Sequence, residues 1–103
     1  MIIAKKEAGA RIPLETLERV SAALRVLAHP LRLKLVELLE GGELPVNQLV
    51  EHTGAAPNAV SQHLNMMKAH GLLASRRDGR RVLYRVVAPE AFSVIECIRA
   101  HYT

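Results

Sequence analysis

A mostly helical single domain with one small β-hairpin toward its C-terminal end is what this sequence predicts, and three observations lead there. Half of the 103 residues are apolar but only 3% are aromatic, with no Trp, so the core must come from Leu, Val, Ile, Ala and Met. That composition favours helices. Apolar residues recur at helical spacing along most of the chain, with breaks at His29-Pro30, Gly41-Gly42, Gly54 and Gly71. Beyond Leu72 the period shortens to one that suits strands, centred on Asp78-Gly79. At this length two domains would each bury too little, so residues 1–103 are read as one domain, with 1–11 as a flexible N-terminal segment.

Pro13 opens a first helix in which Leu14, Leu17, Val20, Ala23, Leu24 and Leu27 follow helical spacing. Its apolar residues cover more than one stripe, enough to serve a partner as well as a core. After His29-Pro30, Leu31, Leu35, Leu38 and Leu39 form a second helix that Gly41-Gly42 ends. A short third helix is expected from about Val46 to His52, with Val46, Leu49 and Val50 inward and Gly54 closing it. Pro57 opens a fourth, running to about His70, whose buried stripe is Val60, Leu64 and Met67. Two antiparallel strands from Leu73 to Val87 are joined by a two-residue turn at Asp78-Gly79. Pro89 starts a last helix with Phe92, Ile95, Ile98 and Tyr102 at roughly helical spacing.

Two short helices joined through Thr53-Gly54-Ala55-Ala56, the first bracing the second, meet the requirements of a helix-turn-helix. Opposite its buried stripe the fourth helix carries Asn58, Ser61, Gln62, Asn65 and Lys68, and no Asp or Glu occurs from Ala55 to Ser75. An ordinary solvated face mixes Glu with Lys. Amides and hydroxyls without acids suit base edges and phosphates in a major groove. Around the hairpin tip stand Arg76, Arg77, Arg80 and Arg81 with Asp78 as the acid among them. Their mutual repulsion would be relieved by phosphates or a narrow minor groove, against the plainer reading of a charged sheet edge. Tyr84, on the second strand with Val82 and Val86, reads as half-buried support for this wing, its hydroxyl within reach of a phosphate. His63 falls beside the buried stripe, where a structural role is favoured over a phosphate contact from its ring edge.

The formal charge of +4 suits a polyanionic partner. A single Cys excludes an internal disulfide, and the apolar runs are too short to cross a bilayer, so a cytoplasmic protein without membrane contact is expected. Neither a nucleophile with its base nor paired acids nor a full metal set stands out, which speaks against an enzyme. A winged-helix module for protein contacts is the other class, and acids or apolar residues on the fourth helix would have favoured it.

Leu24-Arg-Val-Leu-Ala-His-Pro-Leu-Arg-Leu-Lys-Leu-Val-Glu-Leu-Leu39, Ala59-Val-Ser-Gln-His-Leu64, Gly71-Leu-Leu73 and the Arg-Asp-Gly-Arg-Arg-Val-Leu-Tyr hairpin together resemble the ArsR/SmtB family of winged helix-turn-helix repressors. The resemblance spans about Val20 to Val87. It implies a homodimer built on the first and last helices, through Leu17, Leu24, Phe92, Ile95, Ile98 and Tyr102, on a partly palindromic double-stranded DNA operator. It also implies that Ser61, Gln62 and their neighbours read bases. Ala56 departs from the Ser-like cap common in that family, and Pro57 compensates in part by fixing the first-turn backbone angle.

Family members that sense soft metals carry paired Cys where this chain has Glu43-Leu-Pro-Val-Asn-Gln-Leu49, and the zinc-type pattern of the last helix is not met by Glu90, Glu96, Cys97 and His101. No cofactor or metal is therefore expected. Cys97 and His101, four apart on one helix face, could complete a tetrahedral zinc set only across a twofold axis. The plainer reading makes Cys97 a small buried residue of the dimer seam. The inducing signal is left open.

Overall fold

A computed structural model describes residues 9–103, so most of the expected N-terminal tail lies outside the described residues. The helices are α1 (Leu14–Leu27), α2 (Pro30–Leu38), α3 (Val46–Thr53), α4 (Pro57–Ala69) and α5 (Pro89–Tyr102), with a 3-10 turn at Leu39–Gly41 after α2. The strands are β1 (Leu44–Pro45), β2 (Leu73–Asp78) and β3 (Arg81–Val86), in the antiparallel order β1-β3-β2. No described helix is long and apolar enough to cross a membrane.

Local chemistry explains most of the boundaries. Pro13 is the extended residue that precedes α1 rather than its first-turn residue, and its carbonyl accepts from the Thr16 and Leu17 amides. His29 caps α2 through its ring, since the Leu31 amide donates to His29 Nδ1 at 3.1 Å, and Pro30 follows where an N–H would have had no partner. Gly54, at φ 71°, takes the left-handed conformation that ends α3 while its amide donates to the Val50 carbonyl. Thr53 Oγ1 accepts from the Ala55 amide and donates to the Val50 carbonyl, which fixes the turn into α4.

The hairpin corrects the sequence reading. Asp78 pairs with Arg81, so the two-residue loop is Gly79-Arg80 and not Asp78-Gly79. Gly79 has φ 66° at the first loop position, where a type II′ turn needs glycine, while Arg80 keeps an ordinary negative φ. The strands slide by two residues relative to the expected pairing, and because side chains alternate with period two, neither face turns over. β1 was not anticipated, for two residues are too short to show alternation. It pairs Leu44 with Tyr84 and Pro45 with Leu83, which makes β3 the central strand.

The core lies where α2, α3 and α4 meet the sheet and α5. Leu35, Val36, Leu49, Val60, Leu64 and Met67 are completely buried there, and the whole expected stripe of α4 is among them. Arg99 of α5 binds Glu40 at 2.8 Å and Glu96 at 2.7 Å, bracing α5 against the end of α2. The first helix behaves differently. Only Val26 and Leu27 of α1 are buried, whereas Leu14, Leu17, Val20 and Leu24 are exposed along one stripe.

Candidate nucleic-acid interface

On α4 the buried stripe sets the outward row. With Val60, Leu64 and Met67 at zero exposure, Asn58, Gln62, Asn65 and Lys68 stand in solvent and Ser61 is half-buried at the edge of the row. The four exposed positions recur three or four residues apart and therefore share one face. The sequence brought together these five, and the structure keeps them together.

The sheet packs against this helix and reaches two members of the row. Tyr84 Oη donates to Asn65 Oδ1 at 3.1 Å, and Lys68 Nζ donates to Ser75 Oγ at 2.8 Å. Tyr84 is more deeply buried than the half-buried position expected of it, at 7% exposure, and its hydroxyl is engaged by Asn65. Burial also pushes its phenol above the ordinary tyrosine value, so it remains a donor at neutral pH.

The wing arginines divide into two groups. Arg76 Nε donates to Glu43 Oε1 at 3.0 Å and Oε2 at 3.1 Å, and Arg81 pairs with Asp78 at 3.1 Å. Glu43, which precedes β1, escaped the sequence reading because it lies 33 residues from Arg76. The Arg76 guanidinium holds the Glu43 carboxyl below the usual carboxylate range. With Glu43 as a second acid, two of the four tip arginines are paired, where Asp78 by itself leaves three unmatched. Arg77 and Arg80 are exposed and have no acid partner among the described residues. Arg85, which the sequence reading passed over, is exposed on β3 in the same condition. Its signal was present, as a basic residue beside Tyr84 on a strand already assigned to the wing.

His63 is half-buried and joins α4 to α2. Arg32 Nε donates to His63 Nδ1 at 3.0 Å, Arg32 Nη1 donates to the Val26 carbonyl at 2.7 Å, and the His29 ring lies 4.5 Å away from that of His63. With Nδ1 accepting from Arg32, the neutral ring carries its proton on Nε2, and the Nδ1 edge is used to hold α4 to α2. Desolvation first, and then the adjacent His29 and Arg32, hold the imidazole below the usual value of 6.5. The unfolded chain thus takes up a proton near 6.5 that the folded protein still refuses. The stability His63 contributes is complete above that value and is lost as pH falls through the lower folded one. Urea midpoints are expected to drop from about pH 7 to about pH 5 less steeply in His63→Gln, whose carbonyl accepts from Arg32 without titrating. Equal pH dependence in the two proteins would remove His63 from this account.

The expected seam residues fare unequally. Leu17 and Leu24 are 43% and 47% exposed, Tyr102 is 80% exposed, and Phe92 and Ile98 are half-buried at the edge of the core. Ile95 is a correction: at 6% exposure it belongs to the protomer's own core, because Ala91 and Ile95 form the stripe that α5 buries. Cys97 is exposed rather than buried in the protomer. Among the described residues no three His, Cys, Asp or Glu side chains gather as a metal site would require.

Comparison with known proteins adds a family. The model of the arsR family of bacterial regulatory proteins matches residues 29–75, from the cap of α2 through α4 into β2. The HTH-type transcriptional regulator YgaV of Escherichia coli is 33% identical over 86 residues, covering 82% of this chain and 87% of that protein. The crystal structure of the transcriptional repressor BigR from Xylella fastidiosa superposes with a TM-score of 0.79 at 27% identity, over 89% of this chain and 98% of that one. A homodimeric winged helix-turn-helix DNA-binding domain from Mycobacterium bovis, solved by NMR, gives 0.73 at 27% identity, over 86% and 85%.

Proposed function

Because this chain belongs to the arsR family of bacterial regulatory proteins, we propose that it acts as a homodimeric repressor, α4 of each protomer lying in a major groove of a partly palindromic operator. It is a DNA-binding transcriptional regulator and not an enzyme. That task belongs to the cytoplasm. In the proposed complex Gln62, Asn58, Ser61 and Asn65 read base edges, while Lys68, Arg77, Arg80 and Arg85 neutralise phosphates. Arg76 and Arg81 contribute through their share of the wing's field after pairing with Glu43 and Asp78. Tyr84 and His63 support the surface from behind.

One observation carries this reading: an exposed helical row without acids stands beside a hairpin with unmatched guanidinium groups, and hydrogen bonds tie the two together. A partner helix against Leu14, Leu17, Val20 and Leu24 would remove an apolar stripe from water, which supports the dimer. Phe92, Ile98 and Tyr102 would join that seam from α5. Two recognition helices related by a twofold axis then address half-sites about one helical turn apart, some 34 Å.

Selection of bound sequences from random duplex DNA, followed by titration at several salt concentrations, tests the proposal. Gln62→Ala is expected to lower discrimination between selected and random duplex by roughly 1–3 kcal/mol. Arg80→Ala should weaken both duplexes evenly and flatten the salt slope by about one unit. Binding that ignored salt, or a Gln62→Ala protein that lost equally on both duplexes, would count against these assignments.

A further inference from the structure

We propose that Tyr84 is a positioning residue that decides which end of the Asn65 amide meets the DNA, so that Asn65 selects a base edge of acceptors, guanine above all. The inference rests on the reading of α4 as the base-reading helix and adds to it a rule for one position.

The register of the sheet creates the arrangement. Ser75 of β2 and Tyr84 of β3 are direct cross-strand partners, so their side chains leave the same face of the sheet. Asn65 and Lys68 are three apart on α4 and so lie one above the other on its surface. The two pairs meet, Tyr84 with Asn65 and Ser75 with Lys68. Of the outward row of α4, these two residues are held by the sheet, whereas Asn58 and Gln62 make no side-chain hydrogen bond among the described residues.

A phenol has a single proton to give, and here Asn65 Oδ1 accepts it. Tyr84 cannot readily swing away, because β3 is flanked by β1 and β2 and the residue is almost wholly buried. Reversing the amide would turn Nδ2 toward the phenol, whose oxygen can accept, but the phenolic proton would then lose the acceptor it has in Asn65 Oδ1. The free end of Asn65 is therefore Nδ2, with N–H donors alone to offer. In the major groove guanine presents two acceptors, N7 and O6. Adenine pairs best with an amide that offers both an acceptor and a donor, and Asn65 has its Oδ1 turned to the phenol. Gln62 keeps both ends available.

Base preferences can be compared by selecting from random duplex DNA with the full chain and its Tyr84→Phe, Asn65→Ala and Asn65→Asp variants. The wild type is expected to enrich guanine at one position per half-site, and Asn65→Ala to lose that preference there and nowhere else. Tyr84→Phe frees the amide to turn, so adenine should be admitted at that position, shifting the guanine-to-adenine ratio by about tenfold. Its salt slope and its other positions should stay as in the wild type, a pattern that mere loosening of the wing would not give. Asn65→Asp retains an acceptor for Tyr84 but has no N–H to donate, and should abolish the guanine preference with the fold intact. An unchanged profile for Tyr84→Phe, or a loss spread over every position, would overturn the role of Tyr84 while leaving α4 as the reader. If the wild type enriched no sequence, base reading by α4 would fall, and this rule with it.

Discussion

Glutamate at both Leu17 and Leu24 is expected to convert the protein to a monomer and to cut its affinity for a two-half-site duplex by about 10²–10⁴-fold. Both side chains are nearly half exposed in the protomer, so the charges need not disturb its core. In the dimer they would face an apolar partner, where a carboxylate loses its hydration without gaining a counter-charge. A monomer must bind each half-site as a separate event, which removes the effective concentration that the second recognition helix enjoys once the first is seated. Sedimentation gives the oligomeric state, circular dichroism the fold, and an electrophoretic titration the affinity. A folded, persistently dimeric variant with wild-type affinity would take α1 out of the seam.

Leu64→Ala is the second large effect, and it acts on stability. Leu64 is completely buried between the helix-turn-helix and the rest of the core, on the stripe that fixes which face of α4 looks outward. Removing its branch should leave a cavity and cost about 2–5 kcal/mol. For a protein of this size that is a large part of a total on the order of 5–15 kcal/mol. The urea midpoint should fall sharply at an unchanged slope, with weaker duplex binding at temperatures where the wild type is still fully folded. A loss below about 0.5 kcal/mol, the range of exposed sites, would mean that α4 is not anchored through this residue.

The helices and the outward row of α4 were legible in the sequence because each depends on neighbours a few positions apart. Apolar spacing located α2, α3 and α4, glycine and proline marked their ends, and the absence of acids from Ala55 to Ser75 marked the surface we propose for DNA. The hairpin was legible as a hairpin but misplaced by one residue at its turn. Asp78-Gly79 and Gly79-Arg80 both supply a glycine at a loop position, and only the pairing of the flanking strands chooses between them. Ile95 shows the same limit from the other side. Helical spacing grouped it with Phe92 and Ile98, yet whether an apolar residue faces the protomer's own core or a partner depends on the angle at which α5 docks.

By itself, then, the sequence determined a basic, winged helical domain with an acid-free outward row on its fourth helix, since periodicity, turn chemistry and local charge are short-range properties. Only the tertiary structure decided that Glu43 takes Arg76, that Arg32 takes His63, and that Tyr84 takes Asn65, partners 33, 31 and 19 residues apart. The reason is physical: a side chain reaches only a few ångströms, and which distant residue falls within that reach is settled when helices and strands pack, not when they form.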